Sequence, residues 1–271
     1  MAAQRRGNVT MELRIDGRAA LITGGSKGLG LAIARAFAQA GGAVAIVARN
    51  AAQLAEAEAA IRAAAPAAKV AAIAADISTA EGCEAAYAGA VQALGQVDIL
   101  VNNAGTSQRG PFLEVTDALW QNDLDLKLFA AIRLARLAWP GMQARRWGRI
   151  VNVLNTGAKA PPAEGAPTAV TRAAGMALTK VQANEGAKHG ILVNALLVGL
   201  IDSDQHRRRH AASKTNESYE EWLGKLGASL PMGRYGKAEE FAATALFLCS
   251  EGGGYIAGTA INVDGGRSPV V

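Results

Sequence analysis

The sequence predicts a doubly wound α/β fold, in which one parallel sheet is covered by helices on both faces. Two observations support this prediction. Short apolar runs of strand length alternate with longer alanine-rich segments of helix length along the 271 residues, an order typical of parallel sheets. The first apolar run also ends in a cluster of glycines, which is the usual junction between the first strand and the first helix of such folds.

This first strand–turn–helix unit is the most informative stretch. An apolar run at 19–22 precedes the glycines, and an amphipathic helical pattern continues to about Ala40. Glycines let the backbone turn sharply and admit a diphosphate, and the N–H groups at the helix start attract the anion. A ligand-free glycine turn is the alternative. We predict a dinucleotide site that includes Gly24, Ser26, Lys27, Gly28, Leu29 and Gly30.

The remaining elements follow in alternation. Apolar runs predict strands at 43–48, 70–75, 97–101, 149–154, 191–197 and 260–263. The segments between the strands predict one helix that ends at about 65 and four more at 79–94, 116–146, 166–188 and 239–248. Residues 200–230 are polar and irregular by comparison. We expect an N-terminal tail, 1–14, followed by one domain, 15–271.

Composition excludes several classes of protein. No apolar run approaches the ~18 residues of a membrane span, and no apolar stretch follows Arg5 and Arg6 as in a secretory signal. Cys83 and Cys249 lack metal-ligand spacing, so we predict no metal and a reduced, cytoplasmic setting. The net charge of +5 is dispersed apart from the run 206–210. Without an aromatic platform beside this run, nucleic-acid binding is only a weak alternative.

The residue after the second strand indicates the nucleotide. In such folds an acidic residue there binds the ribose 2′-hydroxyl, whereas a basic residue accommodates a 2′-phosphate. This position carries Arg49, with Lys27 nearby in the glycine loop and no carboxylate. The pattern favours NADP(H), and the alternative is that Arg49 only faces water.

Two further strand ends are candidates for the adenosine. Asp76, followed by Ile77, ends the third strand, where a carboxylate can accept a hydrogen bond from the adenine amino group. Asn103, Ala104 and Gly105 end the fourth strand, where small residues let the adenosine approach the backbone. Both segments are also compatible with simple turn chemistry.

Three motifs in register carry a family resemblance. They are the glycine loop 23–30, the segment Asn102-Asn103-Ala104-Gly105, and a tail that runs from 231–234 through Gly258 to 263–266. With these motifs the chain resembles the short-chain dehydrogenase/reductase family. The resemblance implies a Rossmann domain with a seven-stranded parallel sheet, NAD(P)(H) as cofactor, and often a homotetramer. It also implies cofactor contacts after the sixth strand, at Gly199, Ile201 and Ser203.

The same resemblance places the active site at positions where this chain differs from the family. The family usually carries Asn, Ser, Tyr and Lys. The corresponding residues here are Lys127, Asn155, Thr168 and Arg172.

The replaced residues limit the chemistry. A threonine hydroxyl cannot replace a tyrosine phenol as an acid, and Arg172 stays charged but can still bind the nicotinamide ribose. Asn155 can orient a carbonyl oxygen. Lys127 is then the one group able to move a proton, because burial beside Arg172 should lower its pKa toward neutrality. The alternative is that Lys127 only forms a salt bridge with Asp123 or Asp125.

The sequence therefore predicts an NADP(H)-dependent oxidoreductase that acts on a carbonyl or an activated alkene. Two alternatives stay open: an NADP(H)-binding sensor or structural subunit, and a non-redox enzyme with Lys127 as base or Schiff-base former. Residues 200–230 are expected to form a substrate lid, and the basic run 206–210 could receive an anionic substrate or be a solvated helix face. We expect a small-molecule substrate, a homo-oligomer, and neither nucleic acid nor membrane as partner.

Overall fold

Seven strands form one sheet within residues 13–213 and 215–271, the part of the chain that the computed structural model describes. The strands are β1 Ala19–Thr23, β2 Ala43–Ala48, β3 Val70–Ala74, β4 Ile99–Asn102, β5 Gly148–Asn155, β6 Ile191–Val198 and β7 Ala260–Val263. Their order is β3-β2-β1-β4-β5-β6-β7, and every neighbouring pair is parallel. The predicted fold class is confirmed, and the chain reverses direction across the sheet between β1 and β4. Residues 1–12 of the predicted tail lie outside the described residues.

Helices cover both faces of this sheet. They are α1 Gly28–Gln39, α2 Ala51–Ala64, α3 Ala80–Leu94, α4 Asp117–Leu124, α5 Ala130–Arg145, α6 Thr168–Gly186, α7 Asp204–Ser213, α8 Tyr219–Gly227 and α9 Ala238–Cys249. On one face Phe37 of α1 and Phe241 of α9 are fully buried, and on the other Leu134 and Met142 of α5 are fully buried. No helix of the described residues is long and apolar enough to cross a bilayer.

Two segments differ from the prediction. The helix expected at 116–146 is interrupted by a π-helical turn, Asp125–Phe129, between α4 and α5. Apolar spacing does not reveal one extra residue in a turn, so the interruption was missed. The segment 200–230 was predicted to be irregular but contains α7 and α8. The start of α8 has a local signal, since Ser218 and Glu221 form a capping box.

Candidate active site

A cleft of about 220 Å³ opens at the carboxyl ends of the strands, near the point where the strand order reverses. Ligands of doubly wound sheets bind at such a point. The cleft is smaller than the ~300–1,000 Å³ of a whole ligand pocket, so it has room for one part of a larger ligand. Its lining includes seven of the predicted cofactor residues: Gly24, Ser26, Arg49, Asp76, Ile77, Ala104 and Gly105.

A larger groove of about 780 Å³ lies at the opposite edge of the sheet. Arg18, Ala43 and Lys69 line it, and they stand at the amino ends of the first three strands. It is far from the glycine loop and from the predicted catalytic residues. We therefore take the smaller cleft as the candidate site.

The glycine loop between β1 and α1 is held against the end of β4. The Thr23 hydroxyl accepts hydrogen bonds from the backbone N–H groups of Asn103 and Ala104, at 2.9 and 3.0 Å. The Asn103 amide donates to the carbonyl oxygens of Thr23 and Gly24, at 2.9 and 3.2 Å. Asn103 therefore braces the loop, and its side chain points to the loop rather than into the cleft.

The loop backbone requires glycine. Gly24 and Gly28 adopt positive φ angles of 65° and 51°, which side chains rarely allow. A Cβ on Gly30 would collide with the carbonyl oxygen of Gly24. Helix α1 begins at Gly28, with the exposed Lys27 as its N-cap residue and Leu29 packed on the core. The start of α1 thus lies on a compact loop that fits the approach of a diphosphate.

Arg49 and Asp76 face the cleft from neighbouring strand ends. Arg49 is exposed, as the side chain that receives a phosphate must be. The Asp76 carboxylate accepts hydrogen bonds from the Ser78 hydroxyl at 2.8 Å and from the Ser78 N–H at 3.1 Å. These bonds hold the pKa of Asp76 below its ordinary value. One oxygen of Asp76 therefore stabilises the turn at Ser78, which was the alternative to adenine binding. The other carboxylate oxygen takes no part in this turn.

The three residues predicted after β6 do not line this cleft. A Cβ on Gly199 would lie 2.5 Å from the Cα of Asp264, so this glycine lets the C-terminal segment pack closely. Ile201 forms an isolated β-bridge with Gly236. The Ser203 hydroxyl lies 3.0 Å from Nδ1 of His206, at the start of α7. Of these contacts, the one between Ser203 and His206 lies within the segment 200–230 that was predicted to be a lid.

Lys127 lies on the π-helical turn, and its side chain is enclosed. Only 1% of the Lys127 side chain and none of the Asp123 side chain is exposed, and the two form a close salt bridge. The ammonium group also donates to the Thr168 hydroxyl at 2.8 Å. The pairing that the sequence left as an alternative is therefore present with Asp123. Asp125 instead contacts Gln121 and Arg133.

Opposing influences act on the pKa of Lys127. Burial lowers the pKa below the ordinary value of 10.5, and the positive charge of Arg172 lowers it as well, whereas the hydrogen bond to Asp123 and the negative charge of Asp123 raise it. Burial likewise lowers the pKa of Arg172 to about 10, against the attraction of Asp123. Arg172 therefore remains a cation near neutral pH.

Thr168 and Arg172 lie on one face of α6, one turn apart. The Thr168 hydroxyl accepts a second hydrogen bond, from the N–H of Gln108 at 3.0 Å. Arg172 donates to the carbonyl oxygen of Val153 at 2.7 Å. A Cβ on Gly105 would collide with the Arg172 guanidinium and lie 3.6 Å from Cε of Lys127. Gly105 also lines the cleft, so Arg172 and Lys127 lie directly behind a residue of the cleft wall.

Asn155 ends β5, and its side-chain oxygen is buried without a hydrogen-bond partner among the residues that the structure describes. Sequence reasoning missed Gln108, for which no pattern existed. It named Asp123 only as a partner of Lys127. The spacing of four residues between two charges was the signal for this pair.

The basic run 206–210 helps to hold the lid segment together. Arg207 lies 3.6 Å from the Asp202 carboxylate, with its guanidinium 4.6 Å from the centre of the Tyr219 ring. The Tyr219 hydroxyl donates a short hydrogen bond to Asp202, and the ring of His210 packs on Tyr219. These contacts give Arg207 and His210 structural roles and leave them poorly placed to recognise an anionic substrate.

The salt bridge between Lys127 and Asp123 is expected to matter for stability. Replacing Asp123 with Ala leaves a buried ammonium without its counter-ion, which should lower the free energy of unfolding by about 3–5 kcal/mol. The double variant Asp123→Leu/Lys127→Met removes both charges and should recover most of this loss. Urea unfolding of the three proteins measures the effect.

The exposed pair of Glu58 and Arg62 is the matched control, because it has the same spacing on a helix. Glu58→Ala should cost about 1 kcal/mol or less. An equally small loss for Asp123→Ala would show that the buried pair contributes no more than a surface one.

Comparison with known proteins identifies the family. Residues 24–268 match the family model described as Enoyl-(Acyl carrier protein) reductase. The chain is 32% identical over 250 residues to an acetoacetyl-CoA reductase of Shinella zoogloeoides, covering 92% of this chain and 98% of the relative. It is also similar to the L-sorbose reductase of Gluconobacter frateurii, solved with NADPH and L-sorbose (35% identity, TM-score 0.90, 96% and 100% of the two chains). A third similar protein is a short-chain oxidoreductase of Pseudomonas aeruginosa PAO1 that contains an atypical catalytic center, solved with NADPH (36% identity, TM-score 0.88, 95% and 99%). The chain belongs to the short-chain dehydrogenase/reductase family.

Proposed function

We propose that this protein is an NADP(H)-dependent oxidoreductase that reduces a carbonyl group with Lys127, rather than a tyrosine, as the proton donor. One observation carries the proposal. The buried cluster of Lys127, Asp123 and Thr168 lies next to Gly105, which lines the cleft that the glycine loop also bounds. A cofactor bound in this cleft would lie near the proposed acid.

The residues present fit the cofactor. The glycine loop would hold the diphosphate at the start of α1, Arg49 and Lys27 would pair with a 2′-phosphate, and Arg172 would bind the nicotinamide ribose. When bound, the cofactor supplies the hydride in the reduction. Both solved relatives contain NADPH, which agrees with the basic residue at the end of β2.

Lys127 supplies the proton. As the hydride adds to the carbonyl carbon, one ammonium N–H of Lys127 passes its proton to the carbonyl oxygen and leaves a neutral amine and an alcohol. The lowered pKa of Lys127 makes the ammonium a stronger acid. Its bonds to Asp123 and Thr168 use two of its three N–H groups, and within the described part of the chain the third has no acceptor, so in this proposal it donates to the substrate. Solvent then reprotonates the amine.

The other altered positions have supporting roles in this proposal. Asn155 donates its amide hydrogen to the carbonyl oxygen and orients it, without moving a proton. Thr168 fixes the ammonium by accepting its hydrogen bond. The set departs from the usual Asn, Ser, Tyr and Lys, and the solved relative with an atypical catalytic center supports the idea that family members can work with another set.

Cofactor choice is expected to depend on Arg49. The variant Arg49→Asp replaces the cation with a carboxylate that repels a 2′-phosphate. A charge-assisted hydrogen bond contributes about 1.5–3 kcal/mol, so its loss should raise the Kd for NADPH about 10- to 100-fold. The Kd for NADH, which lacks the 2′-phosphate, should change little. Calorimetric titration of both nucleotides measures this.

Arg35→Asp is the control, because it makes the same charge change on the exposed surface of α1, away from the cleft. Equal losses of NADPH affinity in the two variants would indicate a general electrostatic effect. Equal affinities of the unmodified protein for NADPH and NADH would contradict the cofactor assignment.

The proton donor is tested with Lys127→Met, made together with Asp123→Leu so that no buried charge is left unpaired. Removing a general acid lowers kcat by about 10²- to 10⁴-fold, while NADPH should still bind. Stopped-flow loss of NADPH absorbance with a carbonyl substrate gives kcat, and calorimetry gives the affinity. Lys180→Met, an exposed change on α6, is the control. A double variant with unchanged kcat would exclude Lys127 as the acid.

A further inference from the structure

We propose, on the basis of the proposed function, that the carbonyl substrate carries hydroxyl groups beside the reacting carbon, as hydroxyketones and ketoses do. The structure offers a specific reason. Three buried side-chain oxygens of the proposed site accept no hydrogen bond from any described residue, and they belong to Gln108, Asp123 and Asn155. The Asp123 oxygen can only accept, so a ligand that pairs with it has to bring a donor.

The residues that carry these oxygens lie near the first turn of α6. Gln108 is fixed there by its backbone N–H, which donates to the Thr168 hydroxyl at 3.0 Å. One oxygen of Asp123 binds Lys127 and lies 3.5 Å from the Thr168 hydroxyl, and the other oxygen has no partner among the described residues. The side-chain oxygen of Asn155 lies 3.2 Å from the Cβ position of Gly157, and that position is 3.7 Å from Cβ of Ala169. Gln108 and Asp123 thus contact the hydroxyl that accepts from the proposed proton donor, and Asn155 lies beside the same turn.

Asp123 determines that this site presents hydrogen-bond acceptors and not donors. An amide can turn and present its nitrogen, but a carboxylate paired with an ammonium only accepts hydrogen bonds. A buried acceptor without a donor is unfavourable, and such groups are uncommon in folded proteins. The hydroxyl groups of a hydroxyketone supply O–H donors next to the carbonyl oxygen that Lys127 would protonate. A plain ketone or a 3-oxoacyl thioester brings only carbonyl acceptors to this place and leaves the oxygens unpaired.

Matched substrates test this inference. In 3-pentanone a methyl group replaces each hydroxyl of 1,3-dihydroxyacetone, so the two ketones have nearly the same shape. We expect kcat/KM with NADPH to be about 100-fold or more higher for dihydroxyacetone or for ketohexoses than for 3-pentanone. A site built to pair with a substrate hydroxyl can reject the analogue that lacks it by up to ~10⁴–10⁵-fold. Acetoacetyl-CoA is included as the thioester.

The outcomes separate this inference from the proposed function. If 3-pentanone or acetoacetyl-CoA is reduced as efficiently as the hydroxylated ketones, the inference is wrong and the carbonyl reductase assignment stands. If none of these compounds oxidises NADPH, the proposed function itself is contradicted, and the substrate class falls with it.

A variant tests the acceptors directly. Gln108→Met keeps the length of the side chain and removes its acceptor, so the ratio of kcat/KM for dihydroxyacetone to that for 3-pentanone should fall about tenfold. Gln182→Met is the control, because Gln182 also has a buried oxygen without a partner but lies about 15 Å along α6 from Arg172. An unchanged ratio in Gln108→Met would mean that water, and not the substrate, pairs with this oxygen.

Discussion

A buried pair of opposite charges is the constraint on which the proposed site depends. The ammonium of Lys127 is shut away from water and stays ionised because the Asp123 carboxylate lies against it. Removing either partner would leave the other charge unpaired in the interior, which is far less favourable than an intact pair. The two residues can meet because they stand four apart in the chain, which places them on one face of a helix. Lys127 itself lies on the π-helical turn that follows α4.

The neighbouring residues are consistent with this pair. Arg172 carries a positive charge that lowers the pKa of Lys127, and Arg172 does not itself lose its proton near neutral pH. Two cations at close range need a counter-ion, and Asp123 provides it. Thr168 is small and accepts the ammonium hydrogen bond, so the lysine occupies the centre of the cluster. The four residues form one hydrogen-bonded and electrostatic unit.

Much of the fold followed from sequence because its signals are local. Continuous apolar runs marked the buried parallel strands, and β2 and β7 have the predicted bounds. The glycine loop was recognisable because its turn depends on backbone geometry at fixed places, and the role of Arg49 in binding the cofactor stays a prediction. The π-helical turn was not predictable from apolar spacing. Gln108 enters the site through a backbone contact with α6, and no sequence pattern records such a contact.

The central claim is that the ammonium of Lys127 gives up its proton during carbonyl reduction. The most direct measurement is the pKa of Lys127, read from the side-chain NMR resonance of labelled lysine, alongside the pH dependence of kcat. Burial lowers this pKa below 10.5, and only the protonated form can donate. The account predicts that kcat is constant at lower pH and falls as pH rises through the pKa of Lys127. A kcat that stays unchanged while the Lys127 resonance titrates would contradict it.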